Sequence, residues 1–307
     1  MLTIFTLPKP FKGHIDIIQR NALKSWTKLG QGCEIILFGD DEGVGEAACE
    51  FGVKHISVIE KNEYGTPLLG LAFEKAQKMA QNNTMCYVNA DIMLMRDILS
   101  AIKQIRFEKY LMIGQRWDVN INKSWEFNGN AWEKKLRAYV FEKGEIHPPS
   151  GSDYFVYRKG ILDRFPPFAV GRPGWDNWVI YHARKRRIPV IDSTQMVTVV
   201  HQKHDYRHII GGSGEDHWGP EGDNNITLMG GWGSVFTLRD ANWRLSSKGV
   251  ARCKWTIQRF RRFLWTLPVL YSLFSLFTFM AGFVRKGVAK DNKQFKKLLN
   301  ILALFPF

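Results

Sequence analysis

Cysteine is scarce: Cys33, Cys49, Cys86 and Cys253 are the four in 307 residues. None forms a Cys-x-x-Cys pair or a zinc spacing, which excludes a disulfide framework or a zinc module as the organiser of the fold. Three of them lie in or beside apolar runs and read as reduced core residues, which favours a reducing compartment. There is no Gly-x-x-x-x-Gly-Lys phosphate loop and no Gly-x-Ser-x-Gly nucleophile elbow. Gly-x-Gly-x-x-Gly is absent after the first apolar run, which argues against a dinucleotide oxidoreductase. There is no internal repeat. The first eight residues lack a basic stretch and carry only a short apolar run, so they read as a first strand rather than a signal peptide.

The bulk of the chain also lacks net charge. The total is +14, yet residues 244–307 hold 13 Lys/Arg against the single acid Asp291, which leaves +2 for the first 243 residues. A basic tail on a near-neutral body is not a nucleic-acid footprint, because the aromatics of the body do not alternate with Lys/Arg. The apolar fraction of 45%, with 21 Phe and 11 Trp, is enough for a large core.

Strand-like and helix-like runs alternate through the first 90 residues. Strands are expected over 2–7, 34–38, 55–59 and 85–89. Helices are expected over 14–29, 44–51 and 66–81, the last capped by Thr66 with Pro67 at its first position. This order predicts an α/β fold: a mainly parallel sheet with helices on both faces, whose ligands bind at the carboxyl ends of strands. Beyond it the expectations are a strand over 110–114, a loop region over 115–129, a helix over 131–142 and a strand over 154–157. A helix then opens at Gly174-Trp175-Asp176-Asn177-Trp178 and runs to 187, followed by strands over 188–192 and 197–201. The Gly/Asn/Asp-rich stretch 208–233 reads as a long loop.

The candidate chemistry starts at Asn89-Ala90-Asp91. A buried strand that ends in Asn-x-Asp delivers hard oxygen ligands suited to Mg²⁺ or Mn²⁺ and, through the metal, to a diphosphate; the bland alternative is an Asx turn. Asp40 and Asp41 follow the second strand, either as acceptors for a nucleobase or ribose or as a plain turn. Asp176 is either a helix cap or a general base, with Trp175 as a wall for a sugar face. His201 ends a strand and is the preferred imidazole ligand, with His204 as the alternate. Ser152 and Asp153 either line an acceptor pocket or form a turn. Arg20 and Lys24 either face a diphosphate or lie on a solvated helix face.

These residues together resemble a GT-A-type glycosyltransferase, a nucleotide-diphospho-sugar transferase related to bacterial surface-polysaccharide enzymes. The resemblance spans roughly residues 1–207. It implies that Thr6, Pro8, Asp40, Gly65, Asn89 and Asp91 contact a nucleotide-sugar and that Asp91 and His201 hold Mn²⁺ or Mg²⁺. It further implies that Asp176 is the catalytic base and that Ser152, Asp153 and Trp175 stand on the acceptor side. Asn89 departs from the family's Asp-x-Asp pattern, so one negative charge is missing; a non-catalytic, membrane-associated nucleotide-sugar binding protein is the alternative.

Residues 263–284 carry no charge and are flanked by Arg259, Arg261, Arg262, Arg285 and Lys286. Residues 293–305 have the pattern of a basic amphipathic helix. The expected division is a transferase domain over 1–243, with 208–243 as a mobile loop region, and a membrane-associating segment over 244–307. That segment would lie on or cross the membrane from its cytoplasmic face, near a glycan or lipid-linked acceptor. A core helix or an oligomer interface is the competing reading of the same run.

Overall fold

A computed structural model of the chain describes residues 1–129, 131–204 and 219–267. In chain order the strands are β1 (Leu2–Thr6), β2 (Cys33–Phe38), β3 (Lys54–Ile56), β4 (Thr84–Val88), β5 (Ile92–Met93), β6 (Leu111–Ile113) and β7 (Trp117–Val119). They continue with β8 (Glu145–Ile146), β9 (Tyr154–Arg158), β10 (Val190–Asp192), β11 (Val200–Gln202), β12 (Trp243–Ser246) and β13 (Gly249–Arg252). The α-helices are α1 (Gly13–Thr27), α2 (Val44–Phe51), α3 (Leu69–Met79), α4 (Asp97–Gln104), α5 (Trp132–Lys143), α6 (Trp175–Lys185), α7 (Gly219–Leu228) and α8 (Ile257–Leu264).

Nine strands form one sheet in the order β13-β12-β10-β6-β9-β4-β1-β2-β3. It is mostly parallel, as expected. The exceptions are β9, antiparallel between β4 and β6, and the edge strand β13. Every residue of β1 and β4 is buried, the signature of strands covered on both faces. Successive side chains of β1 serve opposite layers. Phe5 joins α3 and α6 in one core, and Leu2 and Ile4 join α1, α2 and α4 in the other. Phe73 of α3 lies stacked on Tyr87 and edge-on to Phe5, so its ring ties the helix to β1 and β4. Fully burying such a side chain contributes about 1.5–3 kcal/mol.

The smaller sheet, β5-β11-β7-β8, packs on α5 through a third core that contains Met93, Trp132, Leu136 and Val200. Its strand β7 falls inside the stretch expected to be loop. Three residues with one buried apolar side chain, Val119, are too short for a periodic signal.

Three further expectations need correction. Helix α3 starts at Leu69, and Thr66 does not cap it. The Asn62 side chain captures the Thr66 N–H at 2.9 Å, and Pro67 bridges to Lys61, so this stretch closes a turn instead. The stretch 208–233 contains α7, although residues 205–218 lie outside the described residues. The boundary expected at 243/244 cuts β12, which pairs with β10 and turns into β13, so residues 243–252 belong to the main sheet. Only Leu245 in this hairpin is deeply buried, which left it without a strand signature in the sequence. The amphipathic stretch 293–305 and the apolar run beyond residue 267 lie outside the described residues. Among the described residues no helix is long and apolar enough to cross a membrane.

Candidate functional site

The site grows out of strand register. The chain leaves β4, turns through Asn89 and Asp91, and enters β5, which pairs antiparallel with β11 so that Ile92 faces His201. On its other edge β11 runs parallel to β7, with His201 opposite Asp118. Paired positions present their side chains to the same face. Two short ladders therefore bring together residues more than 100 positions apart in the chain.

Asp91, His201 and His204 each offer a ligand atom, and these atoms lie within 4.8 Å of one another. His204 Nε2 donates to Asp91 Oδ2 across 3.0 Å, and His201 Nε2 is 3.7 Å from the same oxygen. Among the described residues, Asp91 Oδ1 is buried without a hydrogen-bond partner. His201 Nδ1 donates to Asp118 Oδ1 at 2.9 Å, which turns the other ring nitrogen, Nε2, toward Asp91. A carboxylate behind a histidine in this way fixes the tautomer that a metal requires. One orphaned carboxylate oxygen and two imidazoles suit a divalent cation such as Mn²⁺ or Mg²⁺. Burial alone would raise the Asp91 carboxyl; the hydrogen bond from His204 and the charges of His201, His204 and Lys9 outweigh it and bring it down to about 2. Burial also opposes ionisation of Asp118. Hydrogen bonds from His201 and His147, together with the Arg116 charge, hold it well below the ordinary carboxylate range.

Asn89 is not part of the triad. Its Nδ2 donates to Asp153 Oδ1 at 2.8 Å, and its backbone N–H donates to the Asp153 carbonyl at 3.0 Å. Asp153 Oδ2 meets Arg116 Nη1 at 2.6 Å, and Arg116 Nε donates to Asp118 Oδ1 at 2.8 Å. A continuous chain of polar contacts therefore runs Asn89–Asp153–Arg116–Asp118–His201. An aspartate at position 89 would place a second carboxylate against Asp153, so the amide suits this neighbour where a carboxylate does not.

The triad stands at one end of a cleft of about 790 Å³. Of the residues expected at a nucleotide-sugar, Pro8, Asn89 and Asp91 line it, as do Asp153 and Trp175 from the acceptor-side group. Thr6 is buried in β1 and does not line it. Asp40 points away, exposed and paired with Lys61 Nζ at 2.6 Å, whereas its neighbour Asp41 lines the cleft. Gly65 closes a turn at φ +81° and places Tyr64 and Thr66, not itself, on the wall. Ser152 is buried behind Asp153 and absent from the lining. Arg20 is engaged by Asp16 and Glu50, and Lys24 lies over the Phe127 ring, so neither faces the cleft.

Asp176 occupies the first turn of α6, two positions after the N-cap Gly174, so it is not the helix cap. It is half-buried and absent from the cleft lining, next to Trp175, which is on it. Burial pushes its carboxyl up to about 6, with the Asp153 charge adding to the rise and backbone N–H groups of Asn177 and Ser152 opposing it. A carboxylate poised there is ionised at neutral pH and basic enough to accept a proton.

Several wall residues gave no sequence signal. Lys9 has its backbone clamped at both N–H and carbonyl by Gln19, at 2.7 and 2.8 Å. Burial lowers its pKa and the charge of Asp91 raises it. Arg172 reaches the cleft while its Nε donates to Glu221 of α7 at 2.8 Å. Pro on either side of Lys9, which stiffens its backbone, is the cue by which it could have been found. A second cavity of about 800 Å³, lined by Asn120, Asn122, His147 and Lys203, shares Arg116, His201 and His204 with the first.

The sequence matches no family model and no curated protein. Solved structures do show likeness. One is S. aureus TarS residues 1–349 in complex with UDP-GlcNAc, at TM-score 0.47 and 14% identity over 74% of this chain and 65% of that one. Another is glucosyl-3-phosphoglycerate synthase from Mycobacterium tuberculosis in complex with Mg²⁺ and UDP, at TM-score 0.44 and 12% identity over 75% of this chain and 80% of that one. The same synthase in complex with Mn²⁺, UDP and glucosyl-3-phosphoglycerate gives the same values.

Two outcomes are expected. Asp118→Asn keeps the fold but weakens Mn²⁺ binding by about 10–100-fold, measured by electron paramagnetic resonance titration, because the ring it orients loses its tautomer lock. Asn89→Asp lowers the thermal midpoint, more at pH 8 than at pH 4, and does not tighten Mn²⁺. A gain in Mn²⁺ affinity would show instead that position 89 is a ligand site.

Proposed function

We propose that the protein is a GT-A-type glycosyltransferase. It moves a sugar from a nucleotide-diphospho-sugar, UDP-linked by default, to a hydroxyl of a glycan or lipid-linked acceptor. One observation carries this reading: the Asp91–His201–His204 cluster closes one end of a cleft whose other wall is made by the carboxyl-end loops of β1, β2 and β3. Such sheets bind nucleotides at these ends.

In this reading Asp91, His201 and His204 hold the cation, which when bound neutralises charge on the departing diphosphate. Lys9 and Arg172 add positive charge along the same wall. Asp41, rather than Asp40, accepts hydrogen bonds from the nucleoside. Asp176 stands beside the cleft-lining Trp175 and not on the wall itself; as the base it would have to turn into the cleft to accept the proton of the acceptor hydroxyl, and a single in-line displacement with such a base inverts the anomeric centre. Trp175, packed edge-on against Tyr87 at 5.1 Å, is a rigid apolar face for the sugar. The binding-only alternative rested on the missing charge at Asn89. That side chain is engaged by Asp153, and the triad has three donors without it.

The basic C-terminal part is proposed to hold the protein on the cytoplasmic face of a membrane. Support comes from α8 and the residue before its cap: Ile257 and Phe260 on the helix and Trp255 ahead of it are exposed among seven Lys/Arg and no acid over residues 244–267. Exposed apolar side chains beside cations suit an anionic lipid surface.

Asp176→Asn is expected to lower nucleotide release in the presence of acceptor by at least about 100-fold while Mn²⁺ and UDP binding persist. In the wild type the rate falls as pH drops through about 6, because protonation removes the base and ionisation above that value restores it. Unchanged turnover in the variant would remove Asp176 from the role. The protein is also expected to sediment with vesicles containing anionic lipid and not with neutral ones, with loss of sedimentation in the triple variant Trp255→Ala, Ile257→Ala, Phe260→Ala. Equal sedimentation with both vesicle types, or none, would remove the membrane from the reading.

A further inference from the structure

The chain closes α6 with four consecutive cations, Arg184-Lys185-Arg186-Arg187. Cations at the end of a helix ordinarily answer its dipole, and three of these four have settled partners. Lys185 lies over the Tyr181 ring, Arg186 donates to the Ile161 carbonyl at 2.6 Å, and Arg187 donates to Thr266 Oγ1 at 2.9 Å. Arg184 differs. Its Nε is buried and, among the described residues, has no hydrogen-bond partner.

Helix α8 brings a second set of cations against it. Arg262 grips Asp240 through Nε at 2.9 Å and Nη2 at 3.1 Å and covers the Phe236 ring at 3.9 Å. Phe263 lies under the Arg187 guanidinium at 4.6 Å. These contacts seat α8 beside the end of α6. Arg259, one turn before Phe263, donates Nη1 to the Lys254 carbonyl at 2.9 Å, and its Nε is likewise buried without a partner among the described residues. Arg187 holds its place at a left-handed φ of +61°, which no other non-glycine residue among the described ones adopts. Burial lowers the Arg184 pKa; the Asp240 charge opposes this, and the charges of Arg187, Arg252 and Arg259 add to it. Asp240, the acid at this junction, is already committed: Oδ1 takes Arg262 Nε, and Oδ2 takes Arg262 Nη2 and the Thr237 N–H.

Like charges packed together over unfilled buried N–H groups are unfavourable until an anion completes them. An anion shared by several guanidinium groups needs several acceptor oxygens and more than one negative charge. A phosphomonoester has three terminal oxygens and carries about −1.5 to −2 at neutral pH, and planar guanidinium forks match it. A carboxylate offers two oxygens and one charge. The same segment exposes Trp255, Ile257 and Phe260, so apolar surface lies beside the cations. A soluble phosphate makes no use of that surface, whereas acyl chains do. We infer that Arg184, Arg187 and Arg259 form a site for the phosphomonoester headgroup of a membrane lipid, with Arg262 and Asp240 fastening α8 over it. This rests on the membrane reading of the C-terminal part and not on the nucleotide-sugar reading of the cleft.

The test sediments the full-chain wild type, Arg184→Gln and Arg259→Gln with three kinds of vesicle. These are phosphatidylcholine alone and phosphatidylcholine mixed with phosphatidic acid or with phosphatidylserine to equal surface potential. The wild type is expected to partition onto phosphatidic acid vesicles about fivefold or more strongly than onto phosphatidylserine ones, and each variant to lose most of that preference while still binding both. The thermal midpoints of the variants without vesicles are expected to match or exceed that of the wild type, since each substitution removes an unanswered charge. Equal partition of the wild type onto the two anionic vesicles, or a preference that survives in both variants, would overturn the site and leave the membrane reading in place. Binding of the wild type to neither anionic vesicle would bring down the membrane reading and this inference with it. A thermal midpoint raised by inorganic phosphate in the wild type alone, with no preference for phosphatidic acid, would assign the anion to a soluble source and overturn the lipid.

Discussion

The hydrogen bond from His201 Nδ1 to Asp118 Oδ1, 2.9 Å long, joins the fold to its chemistry. It exists because β11 and β7 pair in the register that sets His201 against Asp118, while the other edge of β11 sets His201 against Ile92, next to Asp91. A slip of one residue in either ladder would turn these side chains to opposite faces and dissolve the cluster. The hydrophobic contact of the small sheet with α5, through Trp132 and Leu136, is what holds that register. The candidate metal site is thus specified by packing a layer away from it.

The same logic governs charge. Asp91, Asp118 and Asp153 lie around one junction, and each is answered by a different group. His204 donates to Asp91, His147 and His201 donate to Asp118, and Asn89 and Arg116 contact Asp153. An amide at position 89 keeps a fourth carboxylate out of this junction without removing a ligand from the triad. Asp176 is the contrasting case. Its carboxyl is pushed up to about 6 by burial and by Asp153, an arrangement that works against keeping it charged.

The central sheet was readable from the sequence wherever a strand was fully buried. The runs around Leu2, Ile36 and Cys86 fall within a residue or two of β1, β2 and β4, because continuous apolar segments bounded by turns leave little choice. Asp91 was visible for the same reason, just past the end of β4; His201 was expected at the end of a strand over 197–201 and is the middle residue of the shorter β11. What escaped lies on short or half-exposed elements. Asp118 belongs to a three-residue strand with a single buried apolar side chain, and Arg116 immediately precedes it. Glu221 lies on a helix made of Gly, Asn and Asp, whose composition reads as loop. The choice of Asp41 over Asp40 depends on which way a side chain turns just past a strand end, where period-two alternation no longer applies. Thr66 was assigned to a helix by a sound capping rule, but the Asn62 side chain competes for the same N–H and wins, and that competition produces the turn that carries Tyr64.

The account stands on Asp91 joining a metal to a nucleotide-sugar. The most direct measurement incubates the wild type and Asp91→Ala with a panel of nucleotide-sugars in Mn²⁺, in Mg²⁺ and in EDTA, and records both the thermal midpoint and the nucleotide released. At least one donor is expected to stabilise the wild type only when a divalent cation is present, with slow release of its nucleotide, and the variant to lose both responses. A wild type that answers to no donor, or a variant that answers as the wild type does, would contradict it.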